Sequence, residues 1–247
     1  MEAYQIGKYQ IEMEQRVAFI QNVVNAAGAE GIVYGNSGGK DSALVGILCK
    51  KACENTIGLI MPCGSKRNYE EDRVDAEAIA AQYAIQTRLV SLTDARDAIA
   101  QAVGGATELT DLALANLAPR LRMSALYAVA ASENRLVAGT GNRSEGYMGY
   151  FTKWGDGAHD FNPIADLTVT EIYDFLRFLE APAFILDKAP SAALFDGQTD
   201  EGEMGISYQR IDRFLLTGEV DEQDKALIDR FHRASGHKRR MPYVFGE

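Results

Sequence analysis

Between residues 4 and 27 a mostly polar stretch carries apolar residues at Val17, Ile20, Val23 and Val24. That three-and-four spacing predicts a helix with one buried face. A short apolar run, Gly31-Ile32-Val33-Tyr34, follows and reads as a strand that exits into a glycine-rich turn. Helical spacing returns over 42–52 (Leu44, Ile47, Leu48), and 56–61 reads as a second strand stopped by Pro62. An acidic-faced helix is predicted over 70–84 and a third strand over 87–92. Thr93 then offers an N-cap for a helix over 94–103. A long helical stretch, 109–132, contains Pro119, which should break or restart it. The run from Arg135 to Thr140 makes a fourth strand. Strands alternating with helices imply an α/β fold whose parallel sheet is covered on both faces. Ligands of such sheets sit beyond the carboxyl ends of the strands, where loops 35–42 and 139–146 are the richest in polar chemistry.

Composition narrows the picture. In 247 residues, 47% are hydrophobic and no internal repeat or low-complexity linker appears, so one globular α/β domain over 1–247 is expected. The chain holds 25 basic and 35 acidic residues, a formal charge of −10. That balance argues against nucleic acid or a membrane surface as partner, while leaving room for a local phosphate site. No apolar run reaches the roughly 18 residues needed to span a bilayer, and the N-terminus leads into no apolar signal core. Cys49, Cys53 and Cys63 are an odd number, which suits a reducing cytoplasm better than a disulfide framework. Cys49 and Cys53 are expected in the core. Nine acids fall between 196 and 224 against Arg210 and Arg213, and this segment, from about 192, is expected to be a mobile, solvated surface. The basic tail 232–240, with His232, Arg233, His237, Lys238, Arg239 and Arg240, is expected at the surface or against an anionic ligand.

The chemistry concentrates in Gly35-Asn36-Ser37-Gly38-Gly39-Lys40-Asp41-Ser42, between a strand and a helix. Glycines let the backbone approach a phosphate with no Cβ in the way. The N–H groups at the helix start then point at the anion. Ser37 and Ser42 add hydroxyls and Lys40 adds charge. Tyr34 and Asp41 stand where a Walker A loop needs Gly and Ser or Thr, so this is a different loop. Asp41 beside a phosphate is repelled unless a divalent cation bridges them, which implies Mg²⁺. The turn Gly139 to Ser144 falls short of Gly-x-Gly-x-x-Gly because Ser144 breaks it, and no Cys-x-x-Cys pair is present.

Ser37 to Ser42 resembles the PP-loop of the N-type ATP pyrophosphatases, which cut ATP into AMP and pyrophosphate while activating a carboxylate or carbonyl oxygen. Residues 116–140 (NLAPRLRMSALYAVAASENRLVAGT), 141–160 (GNRSEGYMGYFTKWGDGAHD) and 189–208 (APSAALFDGQTDEGEMGISY) are similar to ammonia-dependent NAD synthetase, in that family's order. The resemblance implies a doubly wound, Rossmann-like sheet of the adenine nucleotide alpha hydrolase type and a cytoplasmic homodimer. It implies amidation of deamido-NAD⁺ to NAD⁺, with ATP as co-substrate, Mg²⁺ as cofactor and ammonia as the third reactant. By the same resemblance, residues Gly35 to Ser42 hold the ATP phosphates, Thr140 and Ser191 touch ATP, and Asp41 and Glu145 bind Mg²⁺. Arg120, Lys153, Asp160, His237 and Lys238 match positions that hold deamido-NAD⁺.

One position departs from the family. Val169 stands where the family usually has a lysine that contacts ATP, and Lys188 or Lys40 is the candidate replacement. Asp160 is a candidate proton acceptor from ammonium, or a group that only orients the ligand. Trp154 and the aromatic stretch 147–151 would stack on a nicotinate or adenine ring, or pack a dimer interface. Two alternatives share the loop: a tRNA-thiolating or purine-amidating PP-loop enzyme, and a non-catalytic adenine-nucleotide-binding module.

Overall fold

The computed structural model describes residues 3–64, 66–188 and 199–246. The chain runs α1 (Ala3–Ala27), β1 (Gly31–Gly35), α2 (Lys40–Ala52), β2 (Thr56–Ile60), α3 (Lys66–Gln82), β3 (Gln86–Leu89) and α4 (Thr93–Gly104). It continues through α5 (Asp111–Ala115), α6 (Leu117–Ser132), β4 (Arg135–Ala138), α7 (Arg143–Met148), α8 (Val169–Phe178) and α9 (Ala183–Leu186). After α10 (Asp200–Met204), α11 (Tyr208–Thr217) and α12 (Glu222–Ala234), a 3₁₀ turn, Gly236–Lys238, precedes the tail. No described helix is long and apolar enough to cross a membrane.

The strands form one parallel sheet in the order β3-β2-β1-β4. Alternation along β1 sends Ile32 and Tyr34 to one face and Val33 to the other, because strand side chains alternate. The first face packs under Leu44 and Leu48 of α2, Ile20 of α1 and Ile172 and Phe175 of α8. The second packs under α6 through Ala130 and Leu126. A third apolar cluster joins Met148, Val169, Tyr208, Ile211 and Ile228, tying α7, α8, α11 and α12 together. Cys49 and Cys63 are buried and Cys53 half-buried, as free thiols.

The order β3-β2-β1-β4 reverses direction at β1: β2 and β3 lie on one side and β4 on the other. Such a switch point opens a crevice between the loops leaving the two adjacent strands. Loops 35–42 and 139–146, distant in sequence, therefore meet there.

Several local expectations are corrected. The third strand ends at Leu89 rather than at 92, although Val90 and Leu92 still donate to the carbonyls of Ile60 and Pro62 at 2.9 Å each. Thr93 does not cap α4; it is the first helical residue, and its Oγ1 accepts from the Gly64 N–H at 3.0 Å instead. The break in the long helical stretch falls at Asn116, so Pro119 sits in the first turn of α6, where a missing N–H breaks no helical bond. The fourth strand stops at Ala138, two residues short of Thr140. The acidic segment is not simply solvated. From Asp200 onward it is largely helical, and Asp200, Asp212 and Asp224 are 3%, 1% and 5% exposed. Each of the three has partners that repay burial: Tyr208 for Asp200, Ser144 and Thr170 for Asp212, and Arg210 for Asp224.

Candidate functional site

At the exit of β1 the chain turns tightly against α3. Gly38 has φ +71°, and a Cβ there would lie 2.4 Å from the Asp72 carbonyl oxygen, so only glycine fits. Asn36 fixes the same turn: its Nδ2 donates to the Ala76 carbonyl at 2.9 Å. Ser42 Oγ donates to the Gly39 carbonyl at 3.0 Å and lies 3.1 Å from Ser37 Oγ. The N-cap of α2 is Gly39, which supplies no side-chain acceptor. The first N–H groups of a helix of 13 residues thus face the crevice with no side-chain cap.

Across the switch point, α7 begins with a capping box. Asn142 accepts from the Glu145 N–H at 2.9 Å, and Glu145 Oε2 accepts from the Asn142 N–H at 3.1 Å. The same Asn142 reaches over and donates from Nδ2 to Asp41 Oδ1 at 3.2 Å. One asparagine thus joins the two loops and sets Glu145 beside Asp41. Burial, and then the Asp41 charge, push the Glu145 carboxyl above its ordinary range, with Lys40 pulling the other way. Lys40 Nζ lies 2.7 Å from Asp41 Oδ2. Burial opposes the Lys40 charge, but Asp41 and Glu145 outweigh it and hold its pKa above the usual value.

A cavity of about 660 Å³ opens from these loops across the strand ends to α12. Gly35, Asn36, Ser37, Gly39, Lys40, Asp41, Ser42, Thr140, Glu145 and Lys238 line it. Tyr150 and Phe151 line it as well, whereas Tyr147 stacks on His232, with ring centroids 4.1 Å apart. Trp154 is 49% exposed, beneath the Lys153 ammonium.

Arg120, Lys153, Asp160 and His237 do not line this cavity. Arg120 is exposed on α6 and donates to the Lys153 carbonyl at 3.4 Å. Asp160 accepts from the Val137 N–H at 2.7 Å and from the Tyr127 hydroxyl at 3.1 Å, so both its oxygens are engaged. His237 is exposed. Lys238 donates to the carbonyls of Gly149 and Phe151 at 2.8 and 2.7 Å. Ser191 lies outside the described residues.

The fate of position 169 is clear. Val169 is 4% exposed within the third apolar cluster and carries no polar group to the cavity. Lys188 lines the cavity but spends its ammonium on Asp72 Oδ1, Asp75 Oδ2 and the Gly38 carbonyl, at 2.8, 2.6 and 3.3 Å. It acts as a clamp that fastens loop 35–42 to α3. Sequence reasoning assigned no role to Arg122, Asp200 and Glu203, which also line the cavity. Arg122 anchors to the Met61 carbonyl through Nε at 3.1 Å.

A family model described as NAD synthase matches residues 12–242. The chain belongs to the NAD synthase family. It is 48% identical over 234 residues to an NH(3)-dependent NAD(+) synthetase of Carboxydothermus hydrogenoformans, covering 94% of this chain and 95% of that one. It is 42% identical over 239 residues to the synthetase of the same name from Archaeoglobus fulgidus, covering 94% and 95%. Among solved structures, an NMN synthetase from Francisella tularensis aligns with a TM-score of 0.91 at 37% identity, covering 97% of this chain and 99% of that one. An NH3-dependent NAD synthetase from Campylobacter jejuni aligns at 0.77 and 34%, covering 96% and 98%. Family membership sets aside the readings as an RNA-thiolating or purine-amidating enzyme, and as a non-catalytic module.

Proposed function

We infer that this cavity amidates the nicotinate carboxylate of deamido-NAD⁺, using ATP and ammonia and releasing AMP and pyrophosphate. One observation carries the reading. The phosphate loop, with the bare N-terminus of α2, and the Asp41–Glu145 pair face a single cavity at the sheet's switch point. A carboxylate has a poor leaving group, and adenylation converts that oxygen into part of a phosphate. The step brings two anions together, so the site must supply positive charge rather than a nucleophile. The α2 amides and Lys40 meet the triphosphate, and Asn142 keeps Asp41 oriented. Asp41 and Glu145 fit Mg²⁺, which takes one or two carboxylates and completes its shell with phosphate and water. Burial first, and then the Asp41 charge, raise the Glu145 pKa, and a cation between the two carboxylates would favour their charged forms. When bound, the ion would neutralise charge on the phosphates. Thr140 touches ATP. Lys238 offers charge to the substrate, with Arg120, Lys153, Asp160 and His237 arrayed outside the cavity for the rest of the dinucleotide, and Ser191 is assigned to ATP.

The chain works as a single domain in the cytoplasm and as a homodimer. Support for the dimer is the poorly covered edge of the sheet: Leu89 of β3 and Ile99 and Val103 of α4, the helix that follows it, are exposed, and α4 has no buried residue. Incubation with ATP, Mg²⁺, deamido-NAD⁺ and ammonium should yield AMP, pyrophosphate and NAD⁺ in equal amounts. ADP as product, or ATP binding without turnover, would refute the assignment.

A second acceptor is favoured by the 0.91 alignment with the NMN synthetase. Nicotinate mononucleotide carries the same carboxylate and lacks the adenylate half. The ratio of kcat/KM for the two acceptors decides between them: a ratio above ten in favour of the mononucleotide would replace deamido-NAD⁺ as the substrate.

A further inference from the structure

Lys40 is the sole basic residue of loop 35–42. It is 6% exposed and lines the cavity. Among the described residues its ammonium hydrogen-bonds to Asp41 alone, which leaves two of three donors for a ligand. It also lies over the ring of Tyr208, 5.8 Å from the centroid. Tyr208 is 2% exposed and opens α11, far from the loop in sequence. The ring is pinned at both ends. Its hydroxyl donates to Asp200 Oδ2 at 3.1 Å, and its backbone N–H donates to Glu201 Oε1 at 2.7 Å.

An aromatic face attracts an ammonium through its negative quadrupole, and more strongly where water is excluded. It does so without taking up a donor and without neutralising the charge. A carboxylate in that place would do both. Lys188, the other cation at the loop, shows the contrast: its three donors are all engaged.

We propose that Tyr208 is a positioning residue for the reaction: held by Asp200 and Glu201, its ring seats the Lys40 ammonium beside Asp41 at the phosphate loop. The proposal rests on the reading that Lys40 contacts the triphosphate. It gives α10 and α11 a part in ATP binding although neither belongs to the nucleotide loops. Val169, one turn before Tyr173 on α8, packs in the same apolar cluster as Tyr208.

The test replaces Tyr208 by phenylalanine and then by mono-, di- and trifluorophenylalanine, which keep the volume of the ring while draining its quadrupole. KM for MgATP should climb with each fluorine, about 10- to 30-fold across the series. In a K40M background the same series should be flat. A series flat in the presence of Lys40, or an equal climb in both backgrounds, overturns the seat. If K40M by itself leaves KM and kcat for MgATP unchanged, the reading of Lys40 as a triphosphate contact fails and the proposal falls with it. If K40M is impaired but the series is flat, only the role of Tyr208 fails.

Discussion

Asp212 is where the stability of the site can be worked out bond by bond. It sits on α11 with 1% exposure and accepts three hydrogen bonds: from Ser144 Oγ at 2.5 Å, from the Thr170 N–H at 2.7 Å and from Thr170 Oγ1 at 2.7 Å. Ser144 precedes Glu145 on α7, and Thr170 lies in the first turn of α8. One carboxylate therefore ties three helices together and backs the residue assigned to the metal. A hydrogen bond to a charged acceptor contributes about 1.5–3 kcal/mol. Ser144 is fully buried and loses the whole contribution in Asp212→Ala, whereas Thr170 is exposed and regains part of it from water. The sum is a loss of roughly 3–5 kcal/mol. At about 2–4 °C per kcal/mol for a chain of this size, Tm should fall by roughly 6–20 °C in thermal unfolding followed by circular dichroism. Asp212→Asn keeps one acceptor oxygen for Thr170, and Ser144 can turn to accept from the new amide, so a fall of less than half that size is expected. Below the unfolding range, Asp212→Ala should still lower kcat, because α7 loses its tie to α8 and α11 and Glu145 moves with it. An Asp212→Ala protein with Tm within 3 °C of the parent would refute the reasoning, as would an Asp212→Asn protein equally unstable.

Four further outcomes follow from local geometry. Gly38→Ala places a Cβ 2.4 Å from the Asp72 carbonyl at a φ of +71°, so titration calorimetry should show ATP affinity at least ~10-fold weaker. Tyr34 is fully buried with no partner for its hydroxyl among the described residues, so Tyr34→Phe should be neutral or up to about 1 kcal/mol stabilising in denaturant unfolding. Gly46→Ala, which would place a Cβ 2.4 Å from that same hydroxyl, should be severe. The Glu133 carboxyl is held at about 2 by hydrogen bonds from Arg88 and then Arg135. A depressed carboxylate lends stability above its unfolded pKa of roughly 4.3 and loses it as pH falls toward 2. The Tm gap between the parent and Glu133→Gln should therefore be open at pH 6, narrow through pH 3 and close near pH 2; a gap independent of pH would contradict the ion-pair account.

Much of the fold is legible along the chain because its signals are local. The runs at 31–34, 56–60 and 135–138 and the helical spacings between them report burial directly. The tight turn after β1 is legible because a glycine with positive φ, such as Gly38, leaves its mark in the sequence. Later helices also carried local signals: Thr168-Val169-Thr170-Glu171 is a capping box, and Asp221 caps α12. Reading residues 196–224 by net charge hid the Asp221 cap and the buried Asp200, Asp212 and Asp224, since charge counts do not distinguish an acid on the surface from one with a buried partner.

From its sequence alone the chain is a parallel α/β protein with a glycine-rich turn after its first strand and an acid, Glu145, after its fourth. Tertiary structure decided that those turns are neighbours, because the order β3-β2-β1-β4 depends on which strand edges pair. It decided that Lys40 rather than Val169 brings charge to the cavity, and that Asp200 and Asp212 are buried supports. It also separated Lys238, which lines the cavity, from Arg120, Lys153, Asp160 and His237, which do not. Periodicity shows that a side chain is covered; what covers it is chosen by packing between segments that are often far apart in the sequence, 42 and 68 residues for Asp212 and 101 for Asp41.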